Sequence, residues 1–168
     1  HGKTTTSAMI ACIAVEGNTD PTVIIGGEVS ALNGNACNGA GRFIVAEADE
    51  SDGSFLKLNP CLALVTNIED DHLDYYGTEE NIYKAFKQFL GNLVEGGKAI
   101  LCVDNAKVKA LAQETDKEVI TYGLEDADYV AKDIHYGVDG TTDKLYHKDE
   151  FVTEVRLIVP GRHHVLNP

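Results

Sequence analysis

The feature that most constrains the fold of this chain is a pair of short apolar segments that each lead directly into acidic residues. Residues 43–46 precede the string EADESDG at 47–53, and residues 62–65 precede TNIEDDH at 66–72. The carboxyl ends of parallel strands lie at one edge of a sheet, where α/β proteins bind their ligands. The pattern therefore predicts two parallel strands whose acidic ends meet at the same sheet edge.

Helical and strand-like segments alternate up to residue 127. Between Ile82 and Leu93, for example, apolar residues recur at helical offsets, and Gly96-Gly97 follows. We predict helices at 4–15, 78–94 and 106–113, strands at 22–25, 43–46, 62–65, 99–103 and 118–122, and a loop at 28–41.

After residue 128 the pattern changes to short strands joined by turns. Residues 129–136, 143–147 and 151–159 are strand-like, and Asp139-Gly140 is a hairpin signal. These segments predict a small antiparallel sheet that is an annex to the parallel one. The expected fold class is α/β, with a mostly parallel sheet flanked by helices as in P-loop proteins and an antiparallel annex toward the carboxyl terminus.

Length and charge restrict the class of function. The chain has 168 residues, which fits one domain. Its 14 basic and 27 acidic residues give a net charge of −13. A surface with this much negative charge repels the phosphates of nucleic acids. In addition, no apolar run reaches the roughly 18 residues that a membrane-spanning helix needs. We therefore expect neither nucleic-acid binding nor membrane insertion.

The cysteines indicate a reducing compartment. Cys12, Cys37, Cys61 and Cys102 are widely spaced, with no CxxC pair, and three of them lie in or beside apolar stretches. A thiol in such surroundings behaves as a small apolar side chain. We predict reduced core or near-core cysteines and a cytoplasmic protein.

The opening residues Gly2-Lys3-Thr4 match the end of a phosphate-binding loop. In such a loop backbone N–H groups surround the phosphates, the lysine reaches the terminal phosphates and the hydroxyl binds Mg²⁺. The apolar helix that follows, which we predict to be buried, and the two acidic strand ends support this interpretation. The alternative is a solvent-exposed lysine at a helix start.

The acidic strand end at 47–53 supplies candidate metal ligands, because Mg²⁺ prefers oxygen donors. Glu47 comes first after its strand, so its side chain is the one most rigidly directed at the sheet edge. Asp49, Glu50 and Asp52 are either further candidates or parts of a solvated turn.

One histidine lies at the second acidic strand end. His72 follows Glu69-Asp70-Asp71, and an imidazole there could ligate a metal or contact phosphate. His135 and His147, on the predicted strands of the annex, are assigned to structural roles.

Four strings spread along the chain resemble the central, ATP-binding domain of the Mur ligase family. They are HGKTTT at 1–6, EADESDGSFL at 47–56, TNIEDDHLDYYG at 66–77, and PGRH at 160–163 followed by Asn167. EADESDGSF discriminates best, since the related murein-peptide ligases carry tyrosine where Ser51 stands. The resemblance implies an ATP-dependent ligase of peptidoglycan precursor synthesis that joins L-alanine to UDP-N-acetylmuramate through an acyl phosphate.

The resemblance also implies roles for individual residues. Lys3, Glu47 and His72 would be catalytic, and Thr4, Glu47 and His72 would hold Mg²⁺. His164 departs from the family, which carries asparagine there in the region that approaches the adenine. The residues expected to bind ATP are His1, Gly2, Lys3, Thr4, Thr5, Asn67, His163 and Asn167.

The same resemblance implies that the chain, residues 1–168, is a truncated central domain. The family's N-terminal domain, which binds the uridine nucleotide, and its C-terminal domain would be absent, so we expect the isolated chain to be inactive. Two alternatives remain: a nucleotide-binding homologue without ligase activity, and a murein-peptide ligase that acts on a peptide.

Overall fold

The structure, a computed structural model, describes residues 1–29, 32 and 34–158. The chain divides into two compact units, the first formed by His1–Ala48 and the second beginning at Asp49. Within the described ranges, every helix is too short or too polar to span a lipid bilayer.

The first unit packs one helix on a three-stranded sheet. β1 pairs parallel to β3 and antiparallel to β2, in the order β2-β1-β3. Because successive strand residues point to opposite faces, Val23 and Ile25 pack with Ala11 of the helix, whereas Ile24 is 56% exposed. The elements are α1 (Lys3–Glu16), β1 (Thr22–Val29), β2 (Gly34–Cys37) and β3 (Ile44–Ala46).

Two expectations for this unit are wrong. Residues 34–37, inside the predicted loop, form β2; backbone pairing with β1 builds this strand although its sequence, GNAC, has no apolar pattern. The helix is also not buried all round, since Ile13 is 66% exposed. Among the described residues, the face that carries Ala8 and Ala11 packs against the sheet, so small residues form this contact.

The second unit is built around a six-stranded sheet whose strands follow chain order. β4 to β7 pair in parallel, and β7 to β9 pair antiparallel. This sheet confirms the predicted α/β class with an antiparallel annex. The strands are β4 (Leu62–Val65), β5 (Lys98–Cys102), β6 (Glu118–Gly123), β7 (Tyr129–Gly137), β8 (Gly140–His147) and β9 (Glu150–Leu157).

The two strands with acidic ends do not share a sheet. β3 pairs with β1 in the first unit, and β4 pairs with β5 in the second. The prediction of one common sheet edge is therefore wrong. Each strand takes its partner from its own unit, which an apolar pattern alone does not reveal.

Helices flank the strands of the second unit close to their predicted positions. α3 begins after Thr78, whose Oγ1 accepts a hydrogen bond of 3.3 Å from the N–H of Asn81. The Phe55 ring packs against Phe86 and Phe89 of α3, at centroid distances of 5.4 and 5.1 Å. The helices are α2 (Leu73–Tyr76), α3 (Glu79–Gly91) and α4 (Ala106–Glu114), with a 3-10 helix at Ser54–Lys57.

All four cysteines are free, as predicted, but they differ in exposure. Cys102 at the end of β5 is buried, and burial raises the pKa of its thiol. Cys12 and Cys37 are half-buried, whereas Cys61 is exposed. The core or near-core prediction is therefore wrong for Cys61, because the sheet covers the apolar string PCLALV only from Ala63 onward.

One carboxylate of the annex is buried without full pairing. Asp143 on β8 is 4% exposed, and within the described ranges its Oδ2 meets no hydrogen-bond donor. Burial raises the pKa of Asp143 above its ordinary value of 3.8. As far as Asp143 is concerned, the free energy of unfolding is therefore highest below the unfolded-state pKa of its carboxyl group. It falls as the pH rises from there through the folded-state pKa.

Replacing Asp143 with asparagine is expected to stabilise the chain at about pH 8 by about 1 kcal/mol, because it removes a buried, unpaired charge. At about pH 4 the gain should shrink toward zero, because the carboxyl is then protonated in the folded chain. Thermal unfolding at both pH values measures the difference, and Asp139→Asn makes the same change at an exposed position. An equal shift at both pH values would contradict the assignment.

Candidate functional site

The amino end of α1 carries the predicted phosphate loop. Gly2 has a φ of 84°, in the left-handed region that suits glycine, directly before Lys3 begins the helix. Within the described ranges no side chain caps this end, and the first turn contains no acidic residue. The first N–H groups of a helix have no partner inside it, so this end favours an anion.

Glu47 is held beside Thr4 within the first unit. The Thr4 hydroxyl donates a hydrogen bond of 2.7 Å to Oε1 of Glu47, and the Gly26 N–H donates one of 2.7 Å to Oε2. The N–H of Glu47 donates to the Ile24 carbonyl at 2.9 Å, which continues the pairing of β3 with β1. Two of the predicted magnesium ligands are thus in direct contact.

Two glycines of β1 leave room for this contact. A Cβ built on Gly26 would lie 3.1 Å from Oε2 of Glu47, and one built on Gly27 would lie 2.8 Å from Cγ2 of Thr4. The second distance is shorter than real Cβ contacts, so a side chain there would displace Thr4. The sequence shows Gly26-Gly27 only as the end of a β-branched run, and their role appears in the structure alone.

In the second unit, two of the loop acids build turns. The Asp49 carboxylate accepts hydrogen bonds from the N–H and the hydroxyl of Ser51, at 3.1 and 2.9 Å. Asp52 Oδ1 accepts one of 2.9 Å from the N–H of Ser54, and hydrogen bonds from Ser54 lower the pKa of Asp52. Such bonds to nearby backbone groups are typical of Asx turns. Of the two interpretations of these acids, the turn fits Asp49 and Asp52.

His72 stands directly before α2 with a φ of 59°, a left-handed conformation uncommon for residues other than glycine. Its Nε2 lies 3.8 Å from Oε1 of Glu50. Asn67 is half-buried and donates a hydrogen bond of 3.1 Å from Nδ2 to the Thr66 hydroxyl. The contact of His72 with Glu50 is one that the sequence did not predict.

Two further residues that the sequence analysis did not single out hold the segments around His72. The Tyr76 hydroxyl donates a hydrogen bond of 2.5 Å to the Glu50 carbonyl, and burial raises the pKa of Tyr76 to about 12. Lys107 on α4 forms ion pairs with Asp70 and with Glu79, the latter at 3.4 Å. The Tyr76 and Asp70 contacts join residues 26 and 37 positions apart, so no local pattern could have revealed them.

The remaining predicted residues include two histidines of the annex, and some of them lie outside the described residues. His135 is exposed, with Nδ1 2.7 Å from the Asp133 carbonyl, and the His147 ring stacks on Tyr129 at 4.5 Å. His1 is exposed and Thr5 is half-buried. The predicted adenine contacts, His163 and Asn167, and the departure at His164 lie outside the described residues.

This geometry defines an α/β domain in which a helix start, without a side-chain cap from the described residues, lies beside a hydroxyl and a strand-end carboxylate. A sequence profile of the Mur ligase middle domain matches residues 1–168. The chain belongs to the Mur ligase family.

Named relatives agree with this membership. The chain is 50% identical to a UDP-N-acetylmuramate–L-alanine ligase of Desulforamulus reducens and 46% identical to one of Pelotomaculum thermopropionicum, each over 99% of this chain and 37% of the relative. The crystal structure of UDP-N-acetylmuramate-alanine ligase MurC from Thermotoga maritima matches with a TM-score of 0.84 and 28% identity, over 98% of this chain and 36% of that one. The chain thus spans little more than a third of these relatives.

Proposed function

We propose that this chain is the central, ATP-binding domain of a longer cytoplasmic ligase that joins L-alanine to UDP-N-acetylmuramate in peptidoglycan precursor synthesis. The identity of 46–50% to ligases of that name supports this function. The observation that carries the proposal is the 2.7 Å hydrogen bond between Thr4 and Glu47. It joins the start of the proposed phosphate-binding helix to the carboxylate of a strand end, so two oxygen groups of the kind that Mg²⁺ prefers lie side by side.

The residues at hand fit a magnesium nucleotide. Thr4 and Glu47 offer hydroxyl and carboxylate oxygens, the donors that Mg²⁺ prefers, and we assign His72 to the same metal centre. Bound there, Mg²⁺ would neutralise negative charge on the phosphates. We assign Lys3 to the β and γ phosphates, and the N–H groups of Gly2, Lys3, Thr4 and Thr5 to the phosphate cradle. His1 and Asn67 are proposed to line the nucleotide, and His163 and Asn167 to contact the adenine.

The proposed reaction has two steps. A carboxylate oxygen of the muramyl lactyl group attacks the γ phosphorus of ATP, and ADP leaves with the electron pair of the broken P–O bond. The amine of L-alanine then attacks the carbonyl carbon of the acyl phosphate. The resulting tetrahedral intermediate loses a proton from nitrogen and expels phosphate, which leaves the amide. Lys3 would hold the phosphates in line for the first step and offset their charge.

The decisive experiment measures phosphate release by the complete protein in which this chain occurs. With ATP, Mg²⁺ and UDP-N-acetylmuramate present, we expect release that depends on added L-alanine, together with a product heavier by one alanyl residue. Omission of L-alanine provides the blank. The same assay with a free tripeptide, L-alanyl-γ-D-glutamyl-meso-diaminopimelate, in place of L-alanine tests the murein-peptide ligase.

Two results would redirect the proposal. Release that depends on the tripeptide and not on L-alanine would assign the protein to the murein-peptide ligases. ATP binding without phosphate release in either assay would identify a nucleotide-binding homologue that lacks ligase activity.

A further inference from the structure

Glu50 is fixed at two points in the second unit. Its side chain is 17% exposed and lies against His72, with Oε1 3.8 Å from Nε2. Its carbonyl oxygen accepts hydrogen bonds from the Tyr76 hydroxyl at 2.5 Å and from the Gly53 N–H at 3.2 Å. Both the side chain and the backbone carbonyl of Glu50 are therefore held by contacts within the acidic loop and with α2.

Tyr76 is itself held from three sides. Its N–H donates to the His72 carbonyl at 3.0 Å, and its carbonyl accepts a hydrogen bond of 2.8 Å from Nδ2 of Asn81. Its ring meets the Tyr75 ring edge to face, at a centroid distance of 4.8 Å. A tyrosine hydroxyl is protonated at neutral pH, so that of Tyr76 is a donor to the Glu50 carbonyl there.

These contacts close a ring of three residues. His72 is joined to Tyr76 through the backbone of α2, Tyr76 to the Glu50 carbonyl through its hydroxyl, and the Glu50 carboxylate faces His72 again. We propose that Glu50 is a positioning residue that orients the His72 imidazole, and that Tyr76 holds Glu50 in place for this task. The proposal rests on the proposed function in one respect, the assignment of His72 to the metal centre.

The chemistry of histidine ligands explains why such a partner matters. A metal-binding imidazole commonly donates its second ring N–H to a carboxylate, which fixes the tautomer and the ring orientation. Glu50 faces Nε2 at 3.8 Å, so its carboxylate stands on this side of the ring and leaves Nδ1 as the nitrogen that we propose to meet the metal. The left-handed backbone of His72 restricts the ring further, because the main chain at this position is already confined.

Binding of Mn²⁺ to the 168-residue chain tests the proposal, with free Mn²⁺ counted by electron paramagnetic resonance. Glu50→Ala is expected to raise the Kd for Mn²⁺ about 10- to 100-fold. Glu50→Gln should recover part of this loss, since its amide oxygen can still face Nε2. Tyr76→Phe should weaken binding several-fold, while Tyr75→Phe should leave it unchanged. Asp74→Ala removes an exposed negative charge from α2, the helix of Tyr76, and so controls for the change in net charge in Glu50→Ala.

Nuclear magnetic resonance of the His72 ring nitrogens supplies a readout that does not need a metal. We expect Glu50→Ala to shift the ring nitrogen signals of His72, because the carboxylate beside the ring is lost, and Tyr75→Phe to leave them unchanged. If His72→Ala leaves Mn²⁺ binding unchanged, the metal role of His72 in the proposed function fails. If His72→Ala weakens binding but Glu50→Ala changes neither the Kd nor the ring signals, the positioning role fails alone.

Discussion

Replacing Lys3 with alanine is expected to lower the affinity of the chain for MgATP by at least roughly 100-fold. Lys3 begins α1 directly after the left-handed Gly2, at the end of the helix that we propose to bind the phosphates. Hydrogen bonds to charged groups contribute about 1.5–3 kcal/mol each, and contacts to two phosphates correspond to a hundredfold or more. Isothermal titration of MgATP into the chain measures the loss.

Two further variants make this result specific. Lys109→Ala removes the same charge from an exposed position on α4 and should leave the affinity for MgATP unchanged. Lys3→Arg keeps the charge but changes the shape of the donor group, so it should recover the affinity only in part. An unchanged Kd in Lys3→Ala would favour the alternative interpretation, a solvent-exposed lysine at a helix start.

Replacing Glu47 with glutamine is expected to reduce kcat of the complete protein at least roughly 100-fold, with a much smaller effect on folding. The amide oxygen can still accept from the Thr4 hydroxyl, but the negative charge and the second acceptor, which serves the Gly26 N–H, are lost. The cost in the free energy of unfolding should be about 1 kcal/mol, the size of one hydrogen bond. Alanine-dependent phosphate release and thermal unfolding measure the two quantities.

Glu28→Gln is the control that separates the loss of one negative charge in the first unit from the loss of that charge at position 47. Glu28 lies on β1 in the same unit and is exposed, so its neutralisation should leave kcat unchanged. A Glu47→Gln protein that keeps its rate but unfolds several degrees earlier would make Glu47 a structural tie between β1 and α1. It would then no longer be a candidate metal ligand.

Local patterns predicted the elements well wherever periodicity was strong. The helix that begins after Thr78 and the strand at 62–65 lie where the pattern placed them, because each buries one regular face. β2 escaped prediction because its four residues, GNAC, pair through the backbone and bury little. The division into two sheets was missed because strand partners are set by contacts between distant residues, which apolar patterns do not encode.

The candidate site shows the same limit. The Gly-Lys-Thr motif singled out Thr4, and residue type with position after a strand singled out Glu47 and His72, since these groups carry their chemistry in the side chain. The hydrogen-bond partners that hold these side chains could not be predicted in this way. The Gly26 N–H that binds Glu47 belongs to the backbone, and the Tyr76 hydroxyl reaches Glu50 across 26 residues of chain. Neither can be read from a local string.

The paired glycines of β1 have a consequence for how this site can vary. The separation between Thr4 and Glu47 depends on two positions that bear no reactive group, since a methyl group at Gly27 would already overlap Thr4. Natural or engineered variants that keep every reactive side chain can therefore still lose the site through these two positions. A search for active homologues that compares only acids, lysines and histidines would accept such sequences. A search that also requires glycine at positions 26 and 27 would reject them.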